Sequence, residues 1–206
     1  MGLIPLLLSN PLMFLVLAFL LLYSVILHEI AHGFTAHLFG DDTALRYGRL
    51  TLNPVSHVDP VGALMLFLVG FGWAKPVPVD FYFLKNNRLA LFCVALSGCF
   101  TNILIAIISL FFLKSGLINS DSALAMMLAE LVKINIILGA FNLIPIPPLD
   151  GSKIVMSFLP EQLQFKIARL EPYGLFILLI LIFTGLLDPL IMIMLKLVYS
   201  LIGLFF

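Results

Sequence analysis

Charge is what this 206-residue chain has least of: Asp, Glu, Lys and Arg together make up 11% of it, where about 25% is usual. Its eleven basic residues are matched by eleven acidic ones. There is no positive excess to hold a phosphate backbone, so a nucleic-acid partner is excluded. Cysteine is limited to Cys93 and Cys99. They sit six apart on different faces of one apolar helix, so they cannot bridge each other and read as small buried residues. A basic n-region and a small-residue cleavage site are both missing from the start of the chain, which argues against a secretory signal.

What is present instead is apolar: 62% of the residues are hydrophobic and the mean hydropathy is +1.18. A soluble globule of this size has too little interior to hide that much apolar surface. An integral membrane protein is therefore expected, embedded in a lipid bilayer. Residues 1–27 carry no charge and continue as an apolar helical run past His28 and Glu29 to about Phe39, where Gly40-Asp41-Asp42 stops it. Leu45 to Leu52 reads as short strand or hairpin material. Val61 to Phe71 is apolar but too short to span, so a re-entrant or interfacial piece is expected. Trp73 beside Lys75 suits the membrane boundary, and Pro76 and Pro78 mark an extended loop.

Leu89 to Leu113 is a clear span, and a further one runs from about Ala123 to Ile144. The latter contains Glu130 and Lys133, three apart and expected to pair. Ile144-Pro145-Ile146-Pro147-Pro148 must break that helix. Gly151 to Glu171 is amphipathic, and two apolar segments flank Asp188. The fold class expected is thus an all-α polytopic membrane protein. It has about five to six membrane helices, with a short re-entrant or β-hairpin segment after the first long span. One domain covers 1–206, closed by a C-terminal apolar hairpin at 173–206. Arg46, Arg49, Lys75, Lys85, Arg88, Lys153, Lys166 and Arg169 fall on one side and Lys114 alone on the other. By the positive-inside rule the first side is cytoplasmic and the N-terminus is outside.

The chemistry begins at His28-Glu29-Ile30-Ala31-His32. Two histidines four apart share a helix face and can reach one metal ion, and the intervening Glu can take a proton from bound water. Neutral imidazole suits Zn²⁺, which lowers the pKa of its water to about 7. Three ionisable groups in five residues of a membrane helix are costly and point to function. The plain alternative is an interfacial helix end whose His and Glu face water. A catalytic zinc usually takes a third protein ligand. Asp150, after the proline-broken span, is a candidate, though it would equally serve as a helix N-cap near Ser152. His37 lies one position off the His32 face and reads as solvated. His57 reads as a turn histidine bonded to Asp59.

His28-Glu29-x-x-His32 together with Asn142-Leu143-Ile144-Pro145-Ile146-Pro147-Pro148-Leu149-Asp150-Gly151 resembles the site-2 protease family of intramembrane zinc metalloproteases. The compact form, without a PDZ or CBS domain, also shares blocks with Gly48–Pro54, His57–Gly62, Gly72–Val79 and Ser97-Gly98-x-x-x-Asn102. Cys99 departs from the family, which commonly has proline there. The resemblance implies that one Zn²⁺ is held by His28, His32 and Asp150 and that Glu29 is the general base. It places Asn102 and Asn142 near the metal, holding substrate or stabilising the oxyanion; interhelical hydrogen bonding is the alternative for both.

The catalytic core then covers about 10–155. The activity implied is hydrolysis of a peptide bond within or near transmembrane segments of a membrane-protein substrate, in a prokaryotic cytoplasmic membrane. The site would lie toward the cytoplasmic side, since the histidines come late in the first span. An extended substrate could add as a strand to Tyr47–Leu52. A catalytically silent zinc protein that binds partners is one alternative, and a metal transporter is another. Self-association and a regulatory membrane partner are both compatible with the sequence, which selects neither.

Overall fold

A computed structural model describes residues 4–70, 72–84 and 87–206. Lys85, counted above among the cytoplasmic charges, and Phe71, the end of the short apolar run, lie outside them. The described chain is helical: α1 (Ile4–Ser9), α2 (Pro11–Leu38), α3 (Thr43–Arg46), a 3-10 turn (Pro54–Ser56), α4 (Pro60–Val69), α5 (Phe81–Leu84), α6 (Arg88–Lys114), α7 (Ala123–Asn142), α8 (Asp150–Phe158), α9 (Glu161–Ala168), α10 (Glu171–Phe183) and α11 (Asp188–Gly203).

The first apolar run is two helices. Asn10 separates α1 from α2, its side chain accepting from the Met13 N–H at 3.1 Å with Pro11 at the first helical position. At the other end of α2, Gly40 takes φ +93°. There the Gly40 N–H bonds to His37 O and the Asp41 N–H to Ala36 O, a Schellman stop.

Among the described residues, three helices are long and apolar enough to cross a membrane: α2 with 28 residues, α6 with 27 and α7 with 20. At 1.5 Å per residue they measure about 42, 40 and 30 Å, against a hydrocarbon core of about 30 Å. Leu12, Leu15, Phe19, Leu104, Phe111, Met126 and Ile137 are exposed on them, as suits helices whose solvent is lipid. α10 and α11 meet at 96° across a short break and together count as at most one more span. Within the C-terminal apolar segment, α10 and α11 are bent 96° from each other. Among the described residues the candidate spans therefore number three, or four with the bent pair, where five to six were expected. The physical reason is length: α10 and α11, with 13 and 16 residues, fall short of the about 20 that a straight crossing takes.

The strand expected at 45–52 is not there, and no named strand occurs among the described residues. Thr43–Arg46 is a helical turn, and Gly48 at φ +63° ends it. Gly48 N–H bonds to Leu45 O and Arg49 N–H to Ala44 O, a second Schellman closure that uses the groups a ladder would need. Strand addition at Tyr47–Leu52 falls with it. Among the described residues the β-structure is one isolated antiparallel bridge, Val58 with Ala74. It brings together the two ends of the excursion that contains the ten-residue α4. Gly62 and Gly72 make that approach close: a Cβ on Gly62 would sit 2.1 Å from Trp73 O.

α6 is the central element and packs on α2, α7 and α8. Its inward face carries Ala95, Gly98, Cys99, Asn102, Ala106 and Ser109, all buried. Small residues let membrane helices approach where no hydrophobic effect drives them together. Ala106, Ile136, Ala140, Val198 and Ile202 form the core between α6, α7 and α11. Ile144, Leu149, Leu178 and Leu187 hold the proline-rich turn after α7 against α10 and the start of α11.

Candidate metal centre

The helical spacing brings His28 and His32 one above the other on the buried side of α2, facing α6. Their Nε2 atoms lie 3.1 Å apart. Asp150, 118 residues beyond His32, completes the group: its Oδ2 is 3.1 Å from His28 Nε2 and 3.1 Å from His32 Nε2. All three residues are buried. The backbone reaches this point because Gly151 follows Asp150. A Cβ there would lie 2.2 Å from Leu143 O and 2.5 Å from Ile144 O, so only glycine lets the start of α8 double back on the end of α7. Asp150 itself is the first residue of α8, Leu149 is the cap, and no side chain caps the helix. The N-cap alternative for Asp150 is thus not realised, and its carboxylate points to the imidazoles.

The far nitrogen of each ring is engaged. His32 Nδ1 is 2.7 Å from Val94 O; a carbonyl can only accept, so Nδ1 carries the proton and Nε2 a lone pair. His28 Nδ1 is 2.7 Å from Asn102 Oδ1. Three acceptor atoms then face one another at 3.1 Å, a repulsive arrangement unless a cation lies among them. Tetrahedral bonds of about 2.0 Å put ligand atoms about 3.3 Å apart, so the triangle fits zinc. The floor is Gly98. A Cβ on it would sit 2.5 Å from His32 Nε2 and 2.6 Å from His28 Nε2, in the space the ion needs.

Glu29 follows His28 on α2 and is half-buried, with Oε2 accepting from the Val77 N–H at 2.8 Å. Val77 belongs to the extended stretch between α4 and α5, and Gly33 on α2 makes room for it: a Cβ there would meet Val77 Cγ1 at 2.7 Å. Asp41 fastens the far end of that stretch, accepting from Thr43 N–H at 3.0 Å and Asp80 N–H at 2.7 Å. Burial pushes the Asp41 carboxyl up. The hydrogen bonds from Thr43 and Asp80 and the charge of Arg46 outweigh that and hold it below the usual carboxylate range.

Of the residues singled out from sequence, His28, His32, Asp150 and Asn102 come together. Asn142 bonds back to Leu138 O at 3.1 Å, at the end of α7. His37 pairs with Asp42 at 2.6 Å, partly exposed. His57 is a correction: its Nε2 donates to Thr51 O at 2.8 Å and it is fully buried, while Asp59 caps α4 at the Gly62 N–H. Glu130 and Lys133 pair as expected, at 2.7 Å.

Cys99, expected as a small buried residue, is buried, and its Sγ approaches Asp150 Oδ2 at 3.8 Å. One buried group beside the centre has no counterpart in the sequence reading. Asn135 meets Asn102 at 2.8 Å. A neutral amide inside an apolar span was the available signal for Asn135.

Two imidazoles and a carboxylate converging between membrane helices, with a glutamate next to the first imidazole, define a membrane metalloprotease of the H-E-x-x-H kind. The family model for peptidase family M50 matches residues 114–184. "Putative zinc metalloprotease YwhC" of Bacillus subtilis is 39% identical over 173 residues, covering 81% of this chain and 79% of that protein. "Putative zinc metalloprotease Rip2" of Mycobacterium tuberculosis is 34% identical over 78% of this chain and 63% of its own length. "Zinc metalloprotease MJ0392" of Methanocaldococcus jannaschii is 26% identical over 75% of this chain, which spans 37% of it. No solved structure matches the chain. The chain belongs to peptidase family M50, the site-2 proteases. Zinc is the metal this membership implies, and His28, His32 and Asp150 are the residues able to hold it.

Proposed function

We propose that the protein is a zinc-dependent intramembrane endopeptidase. It hydrolyses a peptide bond within or near a transmembrane segment of a membrane-protein substrate. The observation that carries this reading is the 3.1 Å triangle of His28, His32 and Asp150, with Glu29 following His28, set among helices that bury it between spans. Zinc, when bound, polarises the scissile carbonyl and acidifies a water. Glu29 takes the proton from the attacking water on its carboxylate and returns it to the departing amine nitrogen, so the base ends as it began. Val77 N–H holds one carboxylate oxygen in place and leaves the other to the water. Asn142, at the end of α7 before the turn that carries Asp150, gives one amide N–H to Leu138 O and has the other for the oxyanion or the substrate backbone.

The positive charges support a cytoplasmic membrane location with the N-terminus outside and the site open toward the cytoplasm. A transmembrane helix shields its own peptide groups, so the substrate must unwind locally before it is cut.

Purified protein in proteoliposomes with a single-span substrate tests the reading. Wild type cuts, and Glu29→Gln retains one zinc per chain and cuts about 10³-fold more slowly or not at all. Zinc retention with no cutting by either form would favour the partner-binding alternative, and zinc flux without cutting would favour transport.

A further inference from the structure

The tautomer of His28 needs an explanation that His28 and Asn102 do not supply. An Asn amide can present either its oxygen or its nitrogen, and a neutral imidazole can protonate either ring atom. Asn102 reversed would face His28 Nδ1 with N–H groups. The ring proton would then move to Nε2, where Asp150 Oδ2, 3.1 Å away, would accept it. That state is comfortable without metal and blocks metal binding.

Further back, the direction is settled. Asn135 Nδ2 lies 2.9 Å from Leu131 O, a backbone carbonyl that can only accept, and 2.9 Å from Ser24 Oγ. The nitrogen of Asn135 must therefore face Leu131. Its Oδ1 then faces Asn102, which donates Nδ2–H to it at 2.8 Å and to Ser24 O at 3.5 Å. Asn102 Oδ1 is left for His28, at 2.7 Å. Asn102 and Asn135 are both fully buried, so water offers neither a substitute partner.

We propose that Asn135 is a positioning residue: by fixing the direction of the Asn102 amide, it forces the proton of His28 onto Nδ1 and keeps Nε2 open for the metal. The relay crosses three helices, from α7 through α6 to α2, and starts at the Leu131 carbonyl. The proposal rests on His28 being a metal ligand.

The test uses the full-length protein in detergent, with zinc titrated against a competing chelator and ¹⁵N shifts of His28 recorded on the metal-free form. Asn135→Leu is expected to weaken zinc binding about 10- to 100-fold, the usual cost of losing an outer-shell partner. It should also move ¹⁵N intensity to the Nε2–H form. Asn135→Ala removes the amide without adding bulk and should shift the tautomer in the same direction, which keeps the test decisive if Asn135→Leu folds poorly.

The distinguishing variant is Asn102→Asp combined with Asn135→Leu. A carboxylate only accepts and cannot reverse, so zinc affinity should recover to within about 3-fold of wild type. A double variant no tighter than Asn135→Leu alone, or an unchanged tautomer in Asn135→Leu, would overturn the proposal. Wild-type zinc affinity in His28→Ala would instead overturn the ligand assignment beneath it.

Discussion

Gly98 sets how close α6 comes to α2. A single methyl there would lie 2.5 Å from His32 Nε2, well inside contact distance, in the middle of the proposed metal position. Gly98→Ala is therefore expected to leave the helices assembled and to reduce bound zinc to under about a tenth of wild type, a loss of at least about 1.4 kcal/mol in affinity. Metal content per chain by mass spectrometry, beside helicity by circular dichroism, checks both halves. The role of this glycine was hidden in the sequence. Ser97-Gly98 stood out as part of a motif, but what a Cβ would strike depends on a helix 66 residues earlier in the chain. His28 and His32 were legible because their partnership is local, four residues on one helix. Asn135 was not, because its partners Ser24 and Asn102 come from two other helices.

At the scale of elements, the extended stretch between α4 and α5 matters most. Pro76 and Pro78 have no N–H, so Val77 is the donor they leave between them, and it serves Glu29. Val77→Pro continues an extended backbone without that donor. It should lower kcat about 10-fold or more at unchanged zinc content, whereas Val77→Ala, which keeps the N–H, should stay near wild type; hydrogen bonds to charged groups are worth about 1.5–3 kcal/mol. Steady-state cleavage of one substrate by both variants decides it.

Asp41 clasps the far end of this stretch through the Asp80 N–H. Its carboxyl is held below its ordinary value, so the folded state binds that proton less readily than the unfolded state does. The stabilisation is present above the unfolded pKa of about 3.9 and is lost as pH falls through the lowered folded value. Asp41→Asn should reduce thermal stability by about 1 kcal/mol at neutral pH. The gap to wild type should narrow progressively as melts are taken below about pH 4. Gly40 announced the stop of α2 in the sequence. The same chemistry at Gly48 was misread as hairpin material, because Leu45 to Leu52 carries strand-forming residues around a glycine that in fact closes a helical turn.

For the whole molecule, the relevant fact is that the apolar cores contain none of His28, His32 and Asp150. The contacts of α6, α7 and α11 are apolar and complete in themselves, as are those that brace the turn before Asp150. Chelation is thus expected to abolish cleavage while helicity and monodispersity persist. Zinc at about 1,000 times its Kd should then restore activity and add about 4 kcal/mol of stability. Unfolding on chelation would show that the centre holds the spans together.

Composition alone placed this chain in a bilayer, since so few charges could not clothe a soluble surface. Local spacing alone put two histidines and a glutamate on one helix face. Tertiary structure decided what no local pattern encodes. It brought the Asp150 carboxylate to 3.1 Å from both imidazoles rather than to a capping position, because Gly151 allows α8 to fold back on α7. It left three or four candidate crossings among the described residues, because α10 and α11 are too short to span singly and meet at 96°. It also gave the two imidazoles their direction, because hydrogen-bond polarity is settled by whichever groups lie opposite, and those come from distant parts of the chain.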